Sequence, residues 1–148
     1  MEDYIRTFDN VTVKMQTSPC QYLLAKDCSA SEKFAIFARQ LNAETKTKAI
    51  TVLVAGSEIK LMPPSNKIVQ VTVDGQTVEL NERKPQIMAS SGVVIYVRET
   101  SSETTSPVVV LKQKQHGLKV LYDGKNVKVY VDEQYKGATC GLCGDNNN

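Results

Sequence analysis

The stretch Ile68-Val-Gln-Val-Thr-Val-Asp-Gly75 alternates apolar and polar residues and ends in an Asp-Gly pair. A period of two places successive side chains on opposite faces of a β-strand. Asp-Gly supplies the positive φ angles that a two-residue type I′ turn requires. We therefore predict a hairpin in which Val71 faces Val78 on an apolar face, while Thr72 faces Thr77 on the other face.

A second Asp-Gly pair follows the alternating segment Leu118–Tyr122. The same two-residue turn predicts a hairpin in which Val120 faces Val127. Lys119 then faces Lys128, a like-charge pair that would be mildly destabilising and that indicates a solvated face. Such a basic surface would attract an anionic receptor, a lipid head group or DNA. Exposed lysines are, however, common on ordinary protein surfaces.

Other alternating segments predict further strands. They are Val11–Met15, Gln21–Lys26, Ile50–Val54, Glu58–Leu61, Val93–Glu99 and Val108–Lys114. Lys33–Leu41 has apolar residues at helical spacing, yet its neighbours favour a strand. The polar run Thr100–Ser106 predicts an exposed loop. Strands at this spacing, separated by Gly, Pro, Asn and Ser, predict an all-β antiparallel sandwich or barrel.

The length and composition are typical of one domain covering residues 1–148. No apolar run approaches the roughly 20 residues of a membrane-spanning helix. The net charge is +2, and Lys and Arg are interspersed with Asp and Glu along the chain. We therefore do not expect nucleic-acid binding. Met1-Glu-Asp-Tyr4 lacks the pattern of a signal peptide, and we expect the chain to be a fragment of a larger secreted protein.

Catalytic motifs are missing from the sequence. The single histidine, His116, precedes Gly117 at a predicted turn, where a solvent-exposed role is expected. There is no Gly-x-Ser-x-Gly elbow, no glycine-rich phosphate loop and no His-Glu-x-x-His. We therefore expect the chain not to be an enzyme.

The four cysteines form two pairs at opposite ends of the chain, Cys20 with Cys28 and Cys140 with Cys143. An even count at this separation favours two long-range disulfides and an oxidising compartment. A four-thiolate zinc site and a redox Cys-x-x-Cys are the alternatives. The sequon at Asn10 predicts a glycosylation site and agrees with secretion.

Oxygen-bearing side chains follow the Cys-x-x-Cys directly, at Asp145, Asn146, Asn147 and Asn148. Calcium takes six to eight oxygen ligands, and Asp- and Asn-rich loops supply them densely. The run lacks the acidic positions and the mid-loop glycine of an EF-hand. It predicts either a disulfide-supported calcium site or a solvated tail.

Four motifs occur together and in order. They are Thr7–Asn10, Pro19–Cys28, Val127–Val131 and Gly137–Gly144. With these motifs the chain resembles, over essentially its whole length, a von Willebrand factor type D domain. Among such domains it is most similar to the one near the C-terminal end of vitellogenins, the secreted egg-yolk lipoproteins, and the similarity points to an insect, a bee in particular.

The resemblance implies an all-β, non-enzymatic domain with a structural calcium site where the two chain ends meet. It implies that Asp9 is a ligand, together with Asp145, Asn147 and a main-chain carbonyl near Asn146. The sequence departs from the family pattern in three ways. Asn10 replaces the usual Gly, Asn146 replaces the usual aromatic residue, and the chain stops at residue 148, before further family ligands.

The resemblance also implies a disulfide between Cys28 and Cys140, which leaves Cys20 and Cys143 for a second bridge. The parent would transport lipid and store nutrients, with its other domains and a receptor or lipid as partners. No lipid pocket is evident in this sequence. Two other functions remain open, an adhesion or assembly module of a mucin-like or clotting-type multimer and thiol-disulfide exchange through the Cys-x-x-Cys.

Overall fold

The structure, a computed structural model, describes residues 3–15, 20–80, 85–88, 90–98 and 107–144. Its strands are β1 Asp3–Arg6, β2 Thr12–Met15, β3 Gln21–Asp27, β4 Phe34–Asn42, β5 Thr47–Val54, β6 Ser57–Ser65, β7 Ile68–Val73, β8 Gln76–Val78, β9 Gln86–Met88, β10 Val93–Arg98, β11 Val108–Gln113, β12 Leu118–Tyr122, β13 Val127–Val131 and β14 Thr139–Cys140. A 3₁₀ turn at Glu133–Tyr135 is the only helical element in these ranges. The described residues therefore contain no helix that is long and apolar enough to cross a membrane.

The strands form two main antiparallel sheets and a separate β1–β2 hairpin. The larger sheet has the order β14-β3-β4-β5-β6-β7-β8, and the smaller has the order β13-β12-β11-β10-β9. Inward-facing residues of both sheets share one apolar core, which includes Ile36, Val52 and Leu61 of the larger sheet and Ile95 and Val120 of the smaller. The prediction of an all-β antiparallel sandwich is confirmed.

The first predicted hairpin is confirmed in register and in turn type. Val71 pairs with Val78 and Thr72 pairs with Thr77. Asp74 and Gly75 both adopt positive φ angles, 50° and 83°. The ambiguous segment around Phe34 is also a strand, β4, as its neighbours suggested. The predicted loop at Thr100–Ser106 lies outside the described residues.

The predicted register of the second hairpin is wrong. Val120 pairs with Val129 instead of Val127, because the connecting loop has four residues, 123–126, and not two. The Asp123 carboxylate accepts hydrogen bonds from the N–H groups of Lys125 at 2.9 Å and Asn126 at 2.7 Å. This side-chain capping stabilises the longer loop. A shift by two residues keeps each side chain on its predicted face.

The predicted pair of Lys119 with Lys128 is consequently absent. Lys119 faces Tyr130 on one neighbouring strand and Lys112 on the other. The Lys119 Nζ lies 5.4 Å from the centre of the Tyr130 ring, a cation–π distance. The Lys112 Nζ lies at the same distance, 5.4 Å, from the centre of the Tyr96 ring. The two lysines that face each other on this sheet thus each contact a tyrosine ring.

His116 lies in the turn between β11 and β12, as predicted, but it is half-buried. Its main-chain N–H donates to the Gln113 side chain at 3.0 Å, and its carbonyl accepts from the Tyr135 hydroxyl. These contacts give the segment around the single histidine a structural role.

The loop after β12 also packs against the larger sheet, and this contact can be tested at Gly124. A Cβ at Gly124 would lie 2.5 Å from the Pro64 Cδ, whereas a Cβ at Gly75 would meet nothing within 4 Å. Both glycines have positive φ, so an alanine at either position costs about 1–2 kcal/mol of backbone strain. We predict that Gly124→Ala lowers the free energy of unfolding in urea by more than Gly75→Ala does. Equal losses would contradict the packing of this loop against Pro64.

Candidate functional site

The two ends of the described chain lie side by side. The Phe8 N–H donates to the Cys143 carbonyl at 2.7 Å. A carboxylate oxygen of Asp9 lies 2.6 Å from the position that a Cβ on Gly144 would occupy. The predicted meeting of the Thr7–Asn10 segment with the end of the chain is confirmed as far as Gly144. We call this region, residues 7–11 and 139–144, the terminal corner.

The N-terminal half of the corner is a closed turn. The Thr7 N–H donates to the Val11 carbonyl at 2.8 Å, and the Val11 N–H donates to the Thr7 Oγ1 at 3.1 Å. Asn10 has a φ of 66° in this turn. Glycine adopts that left-handed conformation most readily, and asparagine tolerates it better than most residues. This conformation explains how asparagine can replace the glycine that the resemblance leads one to expect.

The C-terminal half is held against β3 by main-chain hydrogen bonds. Leu142 N–H donates to the Leu23 carbonyl at 3.0 Å, and Cys143 N–H donates to the Leu24 carbonyl at 2.8 Å. Gly141 has a φ of 110°, and a Cβ there would lie 2.7 Å from the Leu24 oxygen. A side chain at this position would therefore push the last segment away from β3.

The disulfide between Cys28 and Cys140 is present, with a Cα–Cα distance of 5.9 Å and a sequence separation of 112 residues. It joins the end of β3 to β14, whose residues Thr139 and Cys140 pair with Asp27 and Lys26. The bridge therefore reinforces a strand pair that has only two residues on its shorter side.

The second predicted bridge, Cys20 to Cys143, is not formed in the structure. Cys143 is a buried thiol in the apolar core, and Cys20 is exposed just before β3. Cys143 lies beside Leu24, four positions beyond Cys20.

The two alternative roles of the cysteines, a four-thiolate zinc site and a redox Cys-x-x-Cys, also lose support. Cys140 is bonded to Cys28, so it is available neither as a zinc ligand nor as the partner of Cys143 in an exchange reaction. Burial raises the pKa of the Cys143 thiol to about 11. Exchange chemistry requires an accessible thiolate of lowered pKa, which is the opposite condition.

Asp27 is a buried residue that pairs with Thr139 of the terminal corner, and the sequence analysis missed it. Its two carboxylate oxygens accept hydrogen bonds from the N–H groups of Ser29 at 3.0 Å and Lys33 at 2.9 Å. Burial raises the pKa of this carboxyl, but the hydrogen bonds outweigh burial, so the pKa lies below its ordinary value. The Asp-x-Ser spacing at the end of a strand is the local signal of such a turn.

Asp9 is the one predicted metal ligand that lies among the described residues. Asp9 is half-buried and lies against Gly144, directly before the polar run. The other predicted ligands, Asp145, Asn146, Asn147 and Asn148, lie outside the described residues. Within the described ranges no group of three or more His, Cys, Asp or Glu side chains is arranged to hold a metal. The described part thus offers one carboxylate and nearby main-chain oxygens, which suit a hard cation.

Together these features define a disulfide-bonded antiparallel β-sandwich whose chain ends meet at one corner. The sequence profile of the von Willebrand factor type D domain matches residues 1–148, and the chain belongs to that family. The family assignment agrees with the resemblance based on the four motifs.

Vitellogenins are among the similar proteins. The vitellogenin of Acipenser transmontanus is 28% identical over 148 residues, which cover 99% of this chain and 8% of that protein. Vitellogenin-2 of Gallus gallus is 29% identical over 145 residues, covering 95% of this chain and 7% of that protein. Vitellogenin-3 of Caenorhabditis elegans is 29% identical over 147 residues, which cover 97% of this chain and 8% of that protein. The chain thus spans less than a tenth of the length of these relatives.

Removing the disulfide tests how far the corner depends on it. We expect the double variant Cys28→Ser, Cys140→Ser to lose about 4–5 kcal/mol of unfolding free energy, because the bridge closes a loop of more than 100 residues. The control Cys20→Ser, at an exposed cysteine that does not close this loop, should lose clearly less than the double variant. Denaturant unfolding measures both variants, and mass spectrometry of non-reduced peptides identifies the bridge. A Cys20–Cys143 peptide, or equal losses in both variants, would contradict this assignment.

Asp27 generates a pH-dependent prediction. Asp27→Asn leaves one of the two N–H groups, of Ser29 or Lys33, without a carboxylate acceptor and should cost about 1–3 kcal/mol at pH 7. Folding lowers the pKa of Asp27. The contribution of Asp27 to the free energy of unfolding is therefore complete above about pH 4, the ordinary pKa of an Asp carboxyl. It is lost as the pH falls through the lower pKa of the folded state. Urea unfolding of both proteins across this range measures the difference, with the exposed Glu44→Gln as control. A difference that persists unchanged to the lowest pH would disprove the assigned role.

Proposed function

We propose that this chain is a calcium-stabilised structural domain of a secreted, vitellogenin-like yolk lipoprotein that transports lipid and stores nutrients. The single observation that carries the calcium part is the position of the Asp9 carboxylate against Gly144, at the start of the Asp- and Asn-rich run. The yolk-protein part is supported by the vitellogenins among the similar proteins.

The proposed site combines Asp9 with Asp145, Asn146, Asn147 and Asn148, as side-chain or main-chain oxygen ligands. A bound calcium ion would supply positive charge that offsets the repulsion of the two carboxylates. The protein's own contribution is the closed turn at residues 7–11 and the main-chain contact of Phe8 with Cys143, which hold Asp9 in place before the ion arrives. Such preorganisation lowers the ordering cost of binding.

Several features support secretion. The Cys28–Cys140 disulfide is typical of oxidising compartments. Asn10 is exposed, whereas the neighbouring Asp9 is half-buried against Gly144, so a glycan on Asn10 and a cation at Asp9 would lie on different sides of the turn. Glycosylation of Asn10 is part of the proposal. The other domains of the parent, and a receptor or lipid bound through it, are the proposed partners.

The insect source of the protein and the adhesion or assembly role remain predictions. A source in an insect, a bee in particular, is not addressed by the relatives described above, which come from Acipenser transmontanus, Gallus gallus and Caenorhabditis elegans. Additional cysteines just outside the present boundaries would favour an adhesion or assembly role, whereas the vitellogenin relatives favour the yolk-protein role.

Thermal unfolding with and without calcium tests the proposal. Binding to the folded state alone stabilises it by about 2.7 kcal/mol when the free ion is at 100 times its Kd. We expect added calcium to raise the Tm of the wild type, and expect Asp9→Ala and Asp145→Ala each to remove most of that rise. Glu79→Gln, an exposed acidic residue just after β8 at the opposite edge of the larger sheet, is the control that keeps the rise. A wild-type Tm that does not respond to calcium would contradict the proposed ion site.

A further inference from the structure

A slot lies between β1 and the β13 edge of the smaller sheet. Its walls are continuous runs of the chain, residues 4–8 on one side and 125–130 on the other. Its floor is formed by single buried residues of three strands of the larger sheet, Leu24, Ala38 and Lys48. A strand that turned a face towards the slot would contribute alternate residues, because successive side chains point to opposite faces. Both β1 and β13 therefore present an edge to the slot.

The main-chain groups on the outer edge of β13 point towards this slot. In antiparallel strands, residue pairs that exchange main-chain hydrogen bonds alternate with pairs that do not. The Asp132 N–H donates to the Gly117 carbonyl at 3.0 Å, which fixes the phase of this alternation between β12 and β13. The N–H and C=O groups of Val127 and Val129 consequently point away from β12. Among the described strands, none pairs with that edge.

The edge of β1 has the same property. The Thr7 N–H donates to the Val11 carbonyl in the β1–β2 hairpin, so the main-chain groups of the preceding residue, Arg6, point away from β2. Phe8 has the same phase as Arg6, and its N–H donates to the carbonyl of Cys143, which also lines the slot. In the described part of the chain β1 pairs with β2 alone. Two strand edges thus face each other across the slot.

The slot has room for a short strand. Its volume is about 620 Å³. One residue of a strand in a two-layer sandwich takes up about 160 Å³, from a rise of about 3.3 Å, a strand spacing of about 4.8 Å and a sheet spacing of about 10 Å. The volume therefore corresponds to about four extended residues. Such a strand would direct the main-chain groups of alternate residues to β13 and to β1.

The side chains around the slot favour one composition for an inserted strand. Its inward residues would contact Leu24, Ala38 and the Cys143 thiol, so apolar residues suit these positions. Its outward residues would lie between Arg6 and Lys128, which are exposed on the neighbouring strands. Opposite charges on adjacent strands are favourable and like charges are not, so acidic residues suit the outward positions. The described lining itself contains neither Asp nor Glu.

We propose that this slot binds an extended segment of a partner polypeptide, which adds as a strand between β1 and β13 and alternates apolar inward residues with acidic outward residues. Main-chain hydrogen bonds to the two edges supply the affinity, and the side chains select the sequence. A second copy of this chain suits the slot less well, because β1 borders the β13 edge of that copy too. The inference goes beyond the yolk-protein function and does not depend on the calcium site.

Fluorescence polarisation of the labelled peptide fluorescein-Val-Glu-Val-Glu-Val-amide tests the proposal with the 148-residue chain. We expect saturable binding with one site per chain. The same peptide with methylated main-chain nitrogens at both Glu residues should bind about tenfold more weakly or less, because it cannot donate to one of the two edges. Equal binding of the methylated peptide would overturn strand addition.

Two further measurements test the chemistry of the partner. The peptide in which Lys replaces both Glu residues should bind more weakly, since its charges then face Arg6 and Lys128. Equal binding of this peptide would overturn the acidic preference. We expect the chain without peptide to sediment as a monomer. A dimer that the Val-Glu peptide dissociates would assign the slot to a second copy and overturn the proposal.

Proline substitutions locate the site. The Val129 N–H points into the slot, so Val129→Pro removes a donor there without breaking a hydrogen bond to β12. Thr77→Pro is the matched control, because Thr77 is an exposed residue of the edge strand β8 whose N–H points away from β7. In protein with native far-UV circular dichroism, Val129→Pro should weaken peptide binding by about tenfold or more, and Thr77→Pro should leave it unchanged. Equal effects would overturn the site.

Amide hydrogen exchange of the wild type gives a second test of the site that needs no variant. We expect the amides of Arg6, Val127 and Val129 to exchange about tenfold more slowly or less when the Val-Glu peptide is saturating. Lys128 and Tyr130 have the phase that bonds to β12 and should be protected with and without peptide. Peptide binding that leaves exchange at Arg6, Val127 and Val129 unchanged would place the peptide elsewhere and overturn the proposal.

Discussion

The pairing of β14 with β3, covalently secured by Cys28–Cys140, is the contact on which the terminal corner depends. It brings together segments 112 residues apart, and closing so long a loop through two residue pairs alone would be entropically costly. Once β14 is attached, the following residues continue along β3, and the Cys143 carbonyl becomes available to Phe8. The first turn of the domain is therefore positioned by the last strand.

Buried polar side chains connect the sandwich core to its loops. Asp27 accepts the main-chain N–H groups of the loop after β3, and Lys48 donates to carbonyls of two loops. Tyr122 donates its hydroxyl to the Lys48 carbonyl, and Gln113 donates to the Ser91 carbonyl at 2.7 Å. Burial of a polar group is costly unless it is hydrogen-bonded, so these bonds give each loop a specific conformation.

The residues that account for the fold differ from those on which the proposed function rests. The alternating apolar rows of the two sheets account for the sandwich, whereas the calcium proposal rests on Asp9 and the chain end. A β-sandwich serves many functions, and the function has to be argued from such sites. The buried, protonated thiol of Cys143 lies in the apolar core and has the character of a core residue.

Local patterns in the sequence determined most of the strands and the Asp74-Gly75 turn, because alternation and turn chemistry act over a few residues. They did not predict the short strands β1, β9 and β14. The family motifs predicted that Asp9 lies close to the end of the chain. The register of the second hairpin combines local capping by Asp123 with packing of the loop against Pro64. Tertiary structure alone decided the buried environment of Cys143 and the inward position of Lys48, because these depend on packing between segments far apart in the chain, which no local pattern encodes.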